Sequence, residues 1–300
     1  EYITNCLLVK GIFFGYAGDM KKLCIRFASL MLGIFMLAGL NGCRKKEAAA
    51  PMALDFYAFS LGQADCLLLS YEGYHILIDA GETDDGEDIC RALSELGIKK
   101  LDLLVVTHFD KDHIGGLPVL AETVEIDGCL MPDYVRDSKK YRAMEAALEQ
   151  FDVPVMRLQA DMGLELGRGS FAFWISPIPY DTEEKNDNEL SIVTRFTYGD
   201  TSFLLTGDAE GAWLEALCDK SYDISCTVLK VPHHGKWESD LALFTALALP
   251  EYAVITDSGK NPADEETLSA LTLEGAEILR TAQGDVHLVS DGRQVRIAGE

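Results

Sequence analysis

Two histidines and two aspartates fall within six residues in the stretch "VVTHFDKDHIGG", Val105 to Gly116. His108, Asp110, Asp112 and His113 follow an apolar, β-branched run that is too short for a helix and reads as a buried strand, Leu101 to Val106. Loops at the carboxyl ends of strands carry much of the chemistry of α/β proteins, because a rigid strand fixes the loop's first residue. Neutral imidazole nitrogens and ionised carboxylate oxygens are the donors that divalent cations take. The plain alternative for this stretch alone is a solvated acidic turn with incidental histidines.

Three further strand ends carry the same residue types. "LIDAG" ends in Asp79, "LLTGDAE" places Asp208 after a glycine, and "LKVPHHG" places His233 and His234 after an apolar run. "NDNELSIV" adds Asn188 and Ser191 before another strand. Each has an ordinary explanation by itself: Asp79 a turn residue, Asp208 a helix cap, the paired histidines a surface feature. Their joint occurrence, with four of the chain's six histidines among them, predicts convergence on one sheet edge.

Those ends need elements to hold them. Alternation between turn signals predicts three antiparallel strands in residues 54–79, followed by an amphipathic helix over residues 86–97. Strand and helix patterns then alternate: strands near 101–106 and 126–131, and helices from about 116 and over 138–151. A second block predicts strands at 153–158, 171–176, 191–198 and 202–206, helices at 209–218, 241–247 and 265–273, and strand-like "TVLKV", "YAVIT", "AEILRT", "DVHLV" and "QVRIA". Residues 180–189 form a polar loop, either solvated or at the rim of a site. The order predicts an α/β (α+β) fold in which two mixed β-sheets lie face to face with helices outside, a four-layer αββα sandwich over residues 52–300.

These stretches, in this order, resemble the metallo-β-lactamase-fold superfamily, and within it the extracellular hydrolase domain of ComEC-type competence proteins. "LGQADCLLL" resembles that group's VGQGD strand, "THFDKDHIGG" its HxDxDHxGG loop, "FLLTGDAE" its LLTGD and "LKVPHHG" its LKVxHHG, and "RTAQGDVHLVSDG" resembles its terminal hairpin. The resemblance implies a hydrolytic centre of one or two divalent metal ions, manganese or zinc. His108 and Asp110 would bind the first metal and Asp112 and His113 the second; Asp208 would bridge them, and one of His233 and His234 would complete the second site. Asp79 would orient the loop from below, and Asn188 and Ser191 stand where many members carry another histidine. Asp112 and His234 are the candidate catalytic residues, Asp112 as a group that accepts or returns a proton. Lys236 replaces the serine after HHG, and "GKNPADEE" replaces a later histidine-containing segment.

The chain's 300 residues carry a net charge of −23. Such a balance keeps a surface soluble and repels polyanions, which speaks against tight duplex-DNA binding. "MKK" at residues 20–22, the apolar run 23–40 and "LNGC" ending at Cys43 predict a lipoprotein signal peptide over 20–42, with 1–19 an upstream extension and 43–51 a lipidated cysteine and tether. An uncleaved anchor is the alternative, and both place the remainder outside the cytoplasm, at a membrane face. The five cysteines beyond Cys43 show no CxxC spacing, so neither a disulfide framework nor a zinc ribbon is indicated. The expected substrate is a small phosphodiester, a nucleotide or a single-stranded nucleic acid. A lactone, thioester or other small ester is the second reading, and a non-catalytic metal-binding lipoprotein the third. No protein partner is inferable.

Overall fold

The computed structural model describes residues 53–179, 186–219 and 221–299. The leader, the lipid-bearing cysteine and the tether expected before residue 52 lie outside the described residues, as do residues 180–185 of the polar loop.

The chain opens on a meander, β1 (Leu54–Ala58), β2 (Leu67–Tyr71) and β3 (Tyr74–Ile78), paired antiparallel as the alternation predicts. From β3 the sheet continues in parallel through β5 (Leu103–Val105), β7 (Cys129–Pro132) and β8 (Val155–Leu158). The terminal hairpin, β16 (Val286–Ser290) and β17 (Val295–Ile297), returns to this sheet by pairing β16 with β1. The second sheet has the order β15-β14-β13-β12-β11-β10-β9. Its antiparallel half is β9 (Met162–Leu166), β10 (Gly169–Trp174), β11 (Val193–Tyr198) and β12 (Thr201–Leu205); its parallel half runs from β12 through β13 (Val228–Lys230) and β14 (Tyr252–Ile255) to β15 (Glu277–Arg280).

Neighbouring residues of the central strands point to opposite faces, and here both faces are buried. Leu67, Leu69, Ile76 and Ile78 face the second sheet and pack with Phe171, Phe196 and Phe203. Leu68, Leu77 and Leu104 face outward, under α1 (Gly86–Glu95), α3 (Leu117–Thr123) and α4 (Lys139–Gln150). On the far side, Leu204, Leu229 and Ala253 are covered by α5 (Gly211–Leu217), α6 (Leu241–Ala248) and α7 (Glu265–Leu273). Three apolar layers between four structural layers make the αββα sandwich expected from the sequence.

Four details differ from the expectation. The run at 101–106 breaks into β4 (Lys100–Leu101) and β5, because Asp102 turns aside to exchange hydrogen bonds with the backbone of His75. The run at 126–131 likewise splits into β6 (Glu125–Ile126), which pairs with β4, and β7. Strand β9, "MGLEL", escapes notice because it is a half-exposed edge strand with a glycine at its second position. A one-turn helix, α2 (Lys111–Ile114), also sits inside the histidine-aspartate loop.

Candidate metal centre

Parallel pairing of β3 with β5 and of β12 with β13 brings four carboxyl ends to one edge. Asp79, one residue past β3, lies at φ +61°, a left-handed conformation that is uncommon for a side chain bearing a Cβ. Its carboxylate is fully buried and saturated: Oδ1 accepts from the Thr107 N–H at 2.8 Å, and Oδ2 accepts from the Thr107 hydroxyl and from His113 Nδ1, each at 2.7 Å. Because Thr107 spends its one proton on Asp79, its oxygen is an acceptor for His108 Nδ1 at 3.0 Å. His234 Nδ1 donates to the Thr256 carbonyl at 2.9 Å. All three imidazoles are thereby turned the same way, with Nδ1–H tied to the protein and Nε2 bare.

Those three Nε2 atoms are buried and lack an aligned hydrogen bond. His113 Nε2 lies 3.2 Å and His234 Nε2 3.1 Å from Asp208 Oδ2, and His234 Nε2 is 3.5 Å from Asp112 Oδ2. Among the described residues four sets of ligand atoms are close enough to hold an ion: His108, His113 and Asp208, and Asp112, His113 and His234, both around Asp208; Asp65, Asp79 and His113 beneath them; and Glu210, His233 and Glu238 at the rim. Buried polar atoms are nearly always paired, so three orphans around one carboxylate are a specific signature. A divalent cation is the partner whose chemistry fits bare imidazole nitrogens beside carboxylate oxygens.

The other residues singled out in the sequence are distributed around this cluster. Asp110 turns one oxygen to Arg136 and holds the other 3.9 Å from His108 Nε2, at the periphery of the cluster. Ser191 is buried inside it, accepting the Asp208 N–H at 3.2 Å and lying 3.4 Å from His108 Nδ1. His233 does not join this cluster and stands instead in a separate set with Glu210 and Glu238. Both histidines are left-handed, at φ +46° and +53°, and the turn that drives His234 inward directs His233 to the rim, with Nδ1 2.5 Å from Glu210 Oε2. Asn188 follows His233, 3.4 Å from its Nε2, and so stands apart from His108.

Electrostatics favour the same interpretation. Burial by itself would neutralise Asp208, but His234, His113 and Lys230 hold its carboxyl well below the usual range. Burial would likewise lower His113 and His234; Asp208 and Asp79 raise the first well above an ordinary imidazole, and Asp208 and Asp112 push the second up to about 9. Burial and the nearby His113 keep His108 neutral, well below the usual value. Asp112 is drawn down to about 2, with burial opposed by a hydrogen bond from His234 and by the charge of His113. The carboxylates around Asp208 therefore favour positive charge where the Nε2 atoms of His113 and His234 converge.

Asp65, Lys230, Arg136, Asp187 and Glu210 also belong to the site or its supports, and none was assigned to the site from the sequence. Lys230 is fully buried between Asp65 and Asp208. Arg136 bridges Asp110 and buried Asp187. One signal was available: a lysine in the apolar strand "TVLKV" demands a buried counter-charge.

A model of the metallo-beta-lactamase superfamily matches residues 60–256. The chain belongs to that superfamily. Metal-dependent hydrolysis is the class of chemistry that comes with this membership. ComE operon protein 3 of Bacillus subtilis is 31% identical over 196 residues, 64% of this chain and 25% of that protein. Ribonuclease Z of Clostridium tetani is 41% identical over 61 residues, 20% of this chain and 19% of that protein. The chain thus spans a quarter or less of the length of these relatives. The metallo-beta-lactamase fold protein YhfI of Bacillus subtilis shares the fold, with a TM-score of 0.54 at 12% identity, over 78% of this chain and 99% of that one.

Proposed function

We propose that the protein is a lipid-anchored, extracytoplasmic phosphodiesterase whose centre is held by His108, Asp112, His113, Asp208 and His234, with Asp110 as a further oxygen donor. The observation that carries this reading is the trio of bare, buried Nε2 atoms around Asp208. Bound there, divalent ions would make a water nucleophilic near neutral pH and offset the charge of an anionic transition state. The protein's own residues do the rest. Asp79 and Thr107 lock two imidazoles in the tautomer that exposes Nε2, and Ser191 holds the Asp208 backbone. Asp112, about a quarter exposed at the cleft, is placed to take up or return a proton. His233 faces the same cleft of about 460 Å³, and its pairing with Glu210 outweighs burial to raise its pKa, which favours its protonated form beside the substrate.

The relative named as a ribonuclease supports a phosphodiester substrate. The cleft wall favours a small one: Glu82, Asp84 and Asp85 line it, and Lys111, the one lysine or arginine among the described residues of the lining, is 2.8 Å from Glu82. That wall also keeps a lactone or other small ester as the second reading. Asp110 supplies oxygen where an imidazole would favour zinc, so manganese is the preferred ion, although zinc binds more tightly at equal geometry.

Reconstitution of the stripped protein with Mn²⁺ or Zn²⁺, followed by assay on bis-p-nitrophenyl phosphate, single-stranded DNA and a lactone, tests these points together. The diester is expected to turn over fastest, with Mn²⁺, and Asp208→Ala to abolish it. Turnover of the lactone alone would replace the substrate class, and full activity with zinc but none with manganese would remove the role given to Asp110. The anchor is tested separately. Cys43→Ala is expected to release the protein from the membrane fraction, and equal retention with no lipid label on either form would refute it.

A further inference from the structure

Lys230 ends β13 with no exposed surface. A buried ammonium group needs a counter-charge and an acceptor for each of its three protons. It has both: Nζ is 2.6 Å from Asp65 Oδ2, donates to the Gly207 carbonyl at 2.9 Å, and reaches Asp208 Oδ1 at 3.3 Å. Asp65 is itself tied down. The Thr256 hydroxyl donates to its Oδ1 at 2.6 Å, its backbone N–H donates to the Asp112 carbonyl at 3.1 Å, and its carbonyl accepts from Gly81 at 2.9 Å. The Asp65–Lys230 pair therefore links the loop carrying Asp112 and His113 to the strand end carrying His234.

The consequence falls on Asp208. Its two oxygens are divided, Oδ1 to Lys230 and Oδ2 to the side where the Nε2 atoms of His113 and His234 converge. Because Asp65 and Lys230 together add no net charge, the pair acts on a nearby cation through the orientation of Asp208 more than through its own field.

We propose that Lys230, anchored by Asp65, is a positioning residue that occupies Asp208 Oδ1 and leaves Oδ2 as the oxygen offered to the metal centre. The inference rests on the metal-centre reading above and adds to it the device that sets the orientation of the Asp208 carboxylate. A salt bridge serving stability alone would be replaceable by a neutral pair without effect on the bound ion.

The test uses the full chain with Lys230→Met combined with Asp65→Asn, which removes both charges at similar volume, and Asp65→Asn alone, which exchanges one carboxylate oxygen for an amide. Circular dichroism reports folding; calorimetric titration with Mn²⁺ and the paramagnetic resonance line shape of the bound ion report the centre. Both variants are expected to bind Mn²⁺ about tenfold or more weakly, the range typical of losing a group that orients a metal ligand, with an altered line shape. If the double variant does not fold, the single variant decides. Folded variants with wild-type Mn²⁺ affinity and line shape would overturn the positioning role while leaving the metal centre in place. A wild-type chain that binds no divalent ion would overturn both.

Discussion

His233 and His234 are chemically identical neighbours whose roles are separated by backbone conformation. Two successive left-handed residues cost roughly 1–2 kcal/mol each, and such strain persists where the surroundings hold it. Here it places one imidazole under the Thr256 carbonyl and the other beside Glu210. His234→Ala is therefore expected to lower metal affinity by at least about tenfold, whereas His233→Gln should retain the metal and lower kcat; elemental analysis beside kinetics separates the two, and metal loss in both would show that His233 is a ligand after all. The same contacts set a pH dependence for the metal-free protein. His234's pKa is raised to about 9 in the folded state, so its pairing with Asp208 contributes fully below the ordinary imidazole value near 6.5 and is lost as pH rises toward 9. Thermal unfolding of metal-free protein from pH 6 to 9.5 should show a falling Tm, and a Tm that rises across that window would mean that the imidazole is neutral when folded.

At the scale of elements, the site depends on how closely strand-end loops pack. Gly207, between β12 and Asp208, lies at φ +54°, and a Cβ there would stand 2.9 Å from the Thr107 Cβ and 3.2 Å from that of Ser191. The left-handed conformation alone would cost alanine roughly 1–2 kcal/mol, and relief of the contacts would move Thr107, which orients both Asp79 and His108. Gly207→Ala is expected to lower stability by more than about 2 kcal/mol in urea unfolding and to weaken metal binding together; unchanged values of both would show that the loops do not interlock. These strand ends were legible in the sequence because each motif residue follows an apolar run with a clear period, and the β3, β5, β12 and β13 ends all appear where that pattern puts them. The choice between His233 and His234 was not legible, because it rests on two backbone dihedral angles. Asp65 and Lys230 stood inside the recognised stretches without an assigned role, since their meaning comes from a contact between the loop before β2 of one sheet and the end of β13 in the other.

For the whole molecule, charge sets which substrates can arrive. A net charge of −23 gives a repulsive field for any polyanion, and the acidic wall of Glu82, Asp84 and Asp85 brings that field to the cleft. Proteins that hold nucleic acid through lysine and arginine lose affinity as salt rises, because counter-ions compete for the phosphates. Here the dominant long-range term has the opposite sign. Between about 10 and 150 mM salt the screening length shortens from roughly 30 to 8 Å, so repulsion of a long single strand should fade while local contacts at the centre persist. The kcat/KM of the Mn²⁺-loaded protein on a single-stranded oligonucleotide is expected to rise several-fold over this range, chiefly through KM, while that on bis-p-nitrophenyl phosphate, with its single charge, changes little. A fall in oligonucleotide turnover with salt, parallel to that of ordinary nucleic-acid-binding proteins, would point to a basic track beyond the cleft and would restore a long polyanion as the preferred substrate.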